Sequence, residues 1–118
     1  KLVESRWIEQ IMVVGEGQKF VGALIVPAFR VLAEWYGQQG KTYPGDAAVI
    51  GEPSVRALLT KEVDTYNPFF NHVEQVKRFE VLPHEWTVEG GELTPTLKMK
   101  RRVILEKYGD LISRIYTG

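Results

Sequence analysis

Lys98, Lys100, Arg101 and Arg102 make the dense basic cluster of this chain, and they follow directly on Thr94-Pro95-Thr96-Leu97. An ammonium is a compact point charge on a flexible stem, and a guanidinium is a rigid donor fork; both suit phosphates and carboxylates. The spacing predicts that the cluster opens a helix. Cations there oppose the helix dipole, whose N-terminus favours anions, so a helix serving structure alone would carry Asp or Glu. A Lys beside free backbone N–H groups is instead suited to a phosphate, or to a phosphate–carboxylate pair. The plainer alternative, a solvated basic face, accounts for most such clusters.

Other candidates carry less. Gly15-Glu16-Gly17-Gln18-Lys19 faintly resembles a phosphate loop, but such a loop leads from strand to helix and places Ser or Thr after the Lys. Here Phe20 follows Lys19, and an ordinary hairpin turn explains the glycines. His72 and His84 lack paired spacing and cysteine neighbours, so a metal site is not expected. His72 is placed on a helix and His84 in a loop. No Ser has nucleophile-elbow surroundings. Trp7, Trp35 and Trp86 are not interleaved with basic residues as in single-strand binders, and core or core-edge packing is expected for all three.

Fifteen basic residues balance fifteen acidic ones, so the formal net charge is zero and a nucleic-acid partner is not expected. The absence of cysteine excludes disulfides, thiolate catalysis and Cys-ligated zinc, and is compatible with an intracellular setting. No apolar run is long enough to span a bilayer. The first residue is Lys1, so the chain is expected to be either processed or cut from something larger; Leu2-Val3-Glu4, which reads like the end of an element already under way, favours the second.

The elements that must position the cluster read as a small α+β domain over residues 1–118. It has a mixed sheet of about three strands, an N-terminal β-hairpin, and helices packed on the sheet. Residues 8–14 and 20–26 are β-branched, nearly continuous apolar runs joined by the glycine turn. They predict a hairpin covered on both faces. Phe29, Leu32, Ala33 and Tyr36 predict a helix closed by Gly37. Residues 41–53 read as a loop, and Ser54 as the N-cap of a helix carrying Val55, Leu58, Leu59 and Val63. Asn67-Pro68 should interrupt it, with Phe69, Phe70 and Val73 continuing an apolar face. Residues 79–82 read as a strand and 89–92 as a tight turn. After Pro95 the chain is expected to be helical again. Ile104, Tyr108, Leu111, Ile112 and Ile115 form its stripe, with a break at Gly109-Asp110.

Residues 93–101, Leu-Thr-Pro-Thr-Leu-Lys-Met-Lys-Arg, carry a resemblance. Adenylate-forming ligases have a C-terminal motif Pro-Lys-Thr-x-x-Gly-Lys. In the long-chain acyl-CoA synthetase branch it takes the form Leu-Thr-Pro-Thr-(Leu/Phe/Met)-Lys-(Leu/Met)-Lys-Arg, which this segment matches throughout. Leu97 stands where most other branches have glycine, a departure typical of the long-chain branch. Ile8-Glu9-Gln10-Ile11-Met12-Val13-Val14-Gly15 and Leu24-Ile25-Val26-Pro27 resemble the opening hairpin of the same domain. Val63-Asp64, Asn67 and Phe79-Glu80-Val81-Leu82 extend the likeness over nearly the whole chain.

The resemblance implies the C-terminal lid of an AMP-forming long-chain fatty-acid–CoA ligase. Lys98 would be its catalytic lysine, with Thr94, Thr96, Lys100 and Arg101 as nucleotide- or CoA-facing neighbours. It implies fatty acid, ATP and CoA as substrates and Mg²⁺ as metal. It also implies a partner in the protein's own large N-terminal AMP-binding domain, whose signature this chain lacks. The isolated chain is therefore expected to be inactive. A cytoplasmic setting is expected, with room for peripheral membrane association of the full enzyme. The rivals are a fatty-acyl-AMP ligase, a peptide-synthetase adenylation domain, and a non-catalytic anion-binding module whose basic helix meets nucleic acid or a membrane surface.

Overall fold

A computed structural model describes residues 5–67 and 75–117. Two antiparallel strands open the fold, β1 (Ile8–Val14) and β2 (Val21–Pro27). The turn between them closes with Gln18 N–H donating to Gly15 O at 3.0 Å, and Gly17 takes φ 71°, where glycine is favoured. Three helices follow: α1 (Phe29–Gln38), α2 (Asp46–Val49) and α3 (Pro53–Tyr66). The chain then returns as β3 (Val76–Val81), parallel to β2, so the sheet order is β1-β2-β3. Two short helices end it, α4 (Arg101–Lys107) and α5 (Gly109–Thr117).

The expected mixed three-strand sheet with helices is thus present, and the unbroken apolar character of β2 has its explanation. Ala23 and Ile25 face a core built with Leu32, Val55, Leu59 and Val63 of α1 and α3. Leu24 and Val26 face a second core with Leu82, Trp86, Leu93, Ile104 and Ile115. A strand covered on both faces has no place for a polar side chain. In β1, Ile8 and Ile11 share the first core despite their odd spacing. A register shift between Ile8 and Gln10 makes that possible, because an extra residue flips the alternation.

Several boundaries differ from expectation. Gly37 lies inside α1; the chain turns out at Gly40, whose φ of 70° is the left-handed conformation a helix end uses. The segment 41–53 is not all loop, since α2 forms there and buries Val49. The N-cap of α3 is Glu52, not Ser54, because Pro53 takes the first helical position, where its missing N–H costs nothing. Asn67 does mark the end of α3: its side-chain amide exchanges two 3.0 Å hydrogen bonds with the Val76 backbone. Phe69, Phe70, His72 and Val73 lie outside the described residues. The strand expected at 79–82 begins at Val76. Its exposed Lys77 and Arg78 conceal it in sequence and suit a sheet edge.

Gly22 fixes how closely α5 approaches the sheet. A Cβ there would stand 2.8 Å from Ile115 Cγ2 and 3.3 Å from the Arg78 carbonyl oxygen. Gly22→Ala is expected to destabilise the fold by about 1–3 kcal/mol through overpacking, read as a lower urea midpoint. An unchanged midpoint would mean that α5 is not seated as described.

Candidate functional site

The basic cluster does not open a helix as a unit. α4 begins at Arg101, with Lys100 as its N-cap, and neither a side-chain cap nor an acid occupies its first turn. Lys98 lies upstream, in a tight hairpin loop. Leu93 and Met99 form an antiparallel bridge, and Lys100 N–H donates to Glu92 O at 2.7 Å. At the tip, Leu97 N–H donates to Thr94 O and Thr94 N–H to Lys98 O, both at 2.8 Å. Pro95 supplies the fixed φ such a turn uses. The loop closes through Leu97 at φ 66°, the one positive-φ residue other than glycine among those described. Hairpin loops of this kind ordinarily put glycine in that position. Leucine there costs roughly 1–2 kcal/mol of local strain. The helix-terminus argument for an anion therefore does not apply to Lys98; the loop presents it instead.

Each residue of the motif has a definite place. The Lys98 side chain is exposed and has no hydrogen-bond or ion-pair partner among the described residues. Thr94 Oγ1 accepts the Lys98 N–H at 3.0 Å and lies 3.1 Å from Thr96 Oγ1, so both hydroxyls are engaged in shaping the loop. Lys100 and Arg102 are exposed. Arg101 reaches back to the hairpin turn, with Nη2 2.6 and 2.8 Å from the two Glu16 carboxylate oxygens and Nε at 3.1 Å. Glu16's own backbone N–H, followed by the Arg101 hydrogen bond, holds its carboxyl below the ordinary range. The pair is solvent-exposed and screened, so it orients the loop more than it stabilises the fold. Leu97 is 68% exposed, a large apolar side chain beside the lysine.

Beneath the loop lies a carboxylate that the sequence did not single out as a site residue. Glu92 is only 2% exposed. Its Oε1 accepts the Thr87 N–H at 3.1 Å; its Oε2 accepts from Lys107 Nζ at 2.6 Å and from the Tyr108 hydroxyl at 3.0 Å. Lys107 Nζ also donates to Gly90 O at 3.0 Å. Burial alone would raise the Glu92 carboxyl, but Lys107, the Thr87 amide and the Tyr108 hydroxyl outweigh it and hold the group below its ordinary value. Burial, reinforced by the Glu92 acceptor, pushes the Tyr108 hydroxyl up to about 12, so it remains a donor at neutral pH. Partners separated from Glu92 by 5, 15 and 16 positions leave no local sequence signal.

The sign of the pH dependence follows. A depressed carboxyl contributes stability that is present above the unfolded value near 4.5 and is lost as pH falls through the folded value. Glu92→Gln should therefore flatten the fall in urea midpoint below about pH 4.5. An unchanged acid slope would show that the carboxylate is not held as described.

The chain belongs to the AMP-binding enzyme C-terminal domain family, whose model matches residues 1–118. It is 37% identical over 112 residues to the long-chain-fatty-acid–CoA ligase FadD15 of Mycobacterium tuberculosis, covering 92% of this chain and 18% of that protein. It is 36% identical over 108 residues to the putative fatty-acid–CoA ligase fadD11 of the same species, covering 92% and 19%. The chain thus spans about a fifth of the length of these curated relatives. Among solved structures, the A-PCP didomain of a carboxylic acid reductase from Segniliparus rugosus, determined with AMP, superposes with a TM-score of 0.71. Its identity is 23%, covering 95% of this chain and 14% of that one. The adenylation domain of a Mycobacterium chelonae carboxylate reductase gives 0.69 at 23% identity, covering 99% and 17%.

Proposed function

We propose that this chain is the lid of an AMP-forming long-chain fatty-acid–CoA ligase and that Lys98 is the group it delivers. The carrying observation is the exposed ammonium, unpartnered among the described residues, on a loop whose two stems are pinned. The charge is held in place yet left available. In the first half-reaction a carboxylate oxygen attacks the α-phosphorus of ATP, the bond to pyrophosphate breaks, and an acyl-adenylate forms. Lys98, set between the two anions, offsets their repulsion and stabilises the charge as it transfers. In the second, the CoA thiol attacks the acyl carbonyl, and AMP leaves. Thr94 and Thr96 shape the loop that carries the lysine, and Lys100 is left to meet phosphate. Among the described residues no group of three or more His, Asp or Glu could hold a metal. The resemblance, not the described residues, puts ATP and Mg²⁺ on the large N-terminal domain. The names of the aligned ligases support the fatty acid as substrate.

The test is ATP–pyrophosphate exchange driven by a long-chain fatty acid. The full-length protein should catalyse it, and residues 1–118 alone should not. Exchange by the isolated chain, or full-length exchange with no response to fatty acid, would overturn the assignment.

A further inference from the structure

We propose that Glu92 is a positioning residue for Lys98, locking the base of the lysine loop to the end of α4. This deepens the functional proposal and rests on it. The loop 93–100 has two fixed points at its base, the Leu93–Met99 bridge and the Lys100 N–H to Glu92 O bond. Both adjoin Glu92. Its side chain ties that base in two directions: to the preceding turn through Thr87 N–H, and to α4 through Lys107 and Tyr108. The turn closes on itself as well, with Leu93 N–H donating to Thr87 O at 3.2 Å and Gly90 N–H to Thr87 Oγ1 at 2.9 Å.

A buried charge with every neighbour a donor has one stable placement, because any displacement leaves it unpaired in a poorly solvated site. The loop base inherits that placement. Lys98 stands six residues from Glu92 on a long side chain and has no described partner of its own. A small rotation at the base is magnified at its ammonium. Misplacement of a reacting group by about 1 Å costs on the order of 10²-fold in rate. Glu92→Gln keeps the shape but turns one acceptor into an N–H that faces a donor in either amide orientation, the Thr87 N–H in one and Lys107 and Tyr108 in the other. The site must then open.

The experiment is a double-mutant cycle in the full-length enzyme with Lys98→Ala, Glu92→Gln and the pair. It measures kcat and KM for adenylate formation, together with CoA thioester formation from supplied acyl-adenylate. Glu92→Gln is expected to lower adenylation kcat roughly 10- to 100-fold, with the KM for ATP little changed and the thioester step spared. The double variant should be no slower than Lys98→Ala alone, since without the lysine there is nothing left for Glu92 to position. Multiplicative losses, or equal damage to both half-reactions, would overturn the positioning role. Tyr108→Phe guards against a folding failure. It removes one hydroxyl, keeps the ring, and should give a smaller loss confined to adenylation; no loss would count against the role. If Glu92→Gln adenylates normally while Lys98→Ala does not, only this inference fails. If Lys98→Ala adenylates normally, the functional proposal fails and the positioning role with it.

Discussion

Replacing Lys98 by alanine in the full-length enzyme is expected to slow acyl-adenylate formation by about two to three orders of magnitude, equivalent to roughly 3–4 kcal/mol of transition-state stabilisation. The size follows from the charges. Two unit anions about 4 Å apart repel by about 4 kcal/mol at an effective dielectric near 20. An ammonium between them cancels most of that, and more as charge shifts to the departing pyrophosphate. The residue has no other described contact to lose, so the folded state should be unaffected: the urea midpoint should match the parent protein. Lys98→Arg should restore little, because a planar fork does not replace a point charge on a fixed loop. A comparable loss of stability in Lys98→Ala would show that the side chain is structural after all.

Trp86→Ala is expected to destabilise the fold by about 3–5 kcal/mol, a large share of the ~5–15 kcal/mol available to a domain. Trp86 is the largest of the fully buried side chains, 1% exposed, and packs in the second core with Leu24, Leu93 and Ile104. Its ring centroid lies 6.4 Å from that of Tyr108. The indole Nε1 is buried without a hydrogen-bond partner among the described residues. Trp86→Phe should therefore cost much less than Trp86→Ala, since it forfeits volume but no hydrogen bond. The Trp86 backbone is held separately by the Gln10 side chain, through bonds of 2.7 and 3.1 Å. Urea unfolding of both variants decides the matter: equal losses would mean that the aromatic ring volume is not what holds this core.

The sequence is most transparent where one residue type does one job. The β-branched runs of β1 and β2 with glycines between them read correctly as a hairpin, and the missing polar positions of β2 foretold cover on both faces. α4 ends at Lys107 and α5 begins at Gly109, so the break falls at Tyr108, beside the Gly109-Asp110 pair where the pattern placed it. The sequence is opaque where tertiary contact overrides local preference. α2 forms because Val49 fills a core site, and β3 starts early because pairing with β2 outweighs its charged face. The cluster that looked like a helix start is split, because Leu97 adopts a conformation that leucine rarely takes. The motif nevertheless pointed to Lys98, which proves exposed and unpartnered among the described residues. Arg101 is engaged with Glu16 across 85 positions, a pairing invisible to any local pattern. The Glu92 network lies beyond sequence reasoning for the same cause.

On the function proposed above, this domain lends its lysine to one half-reaction only. The most direct measurement supplies Lys98→Ala full-length enzyme with preformed long-chain acyl-adenylate and CoA and follows acyl-CoA release. Thioester formation is expected within a few-fold of the parent protein, alongside adenylation reduced about 10²- to 10³-fold. Equal loss of both steps, or undiminished adenylation, would contradict it.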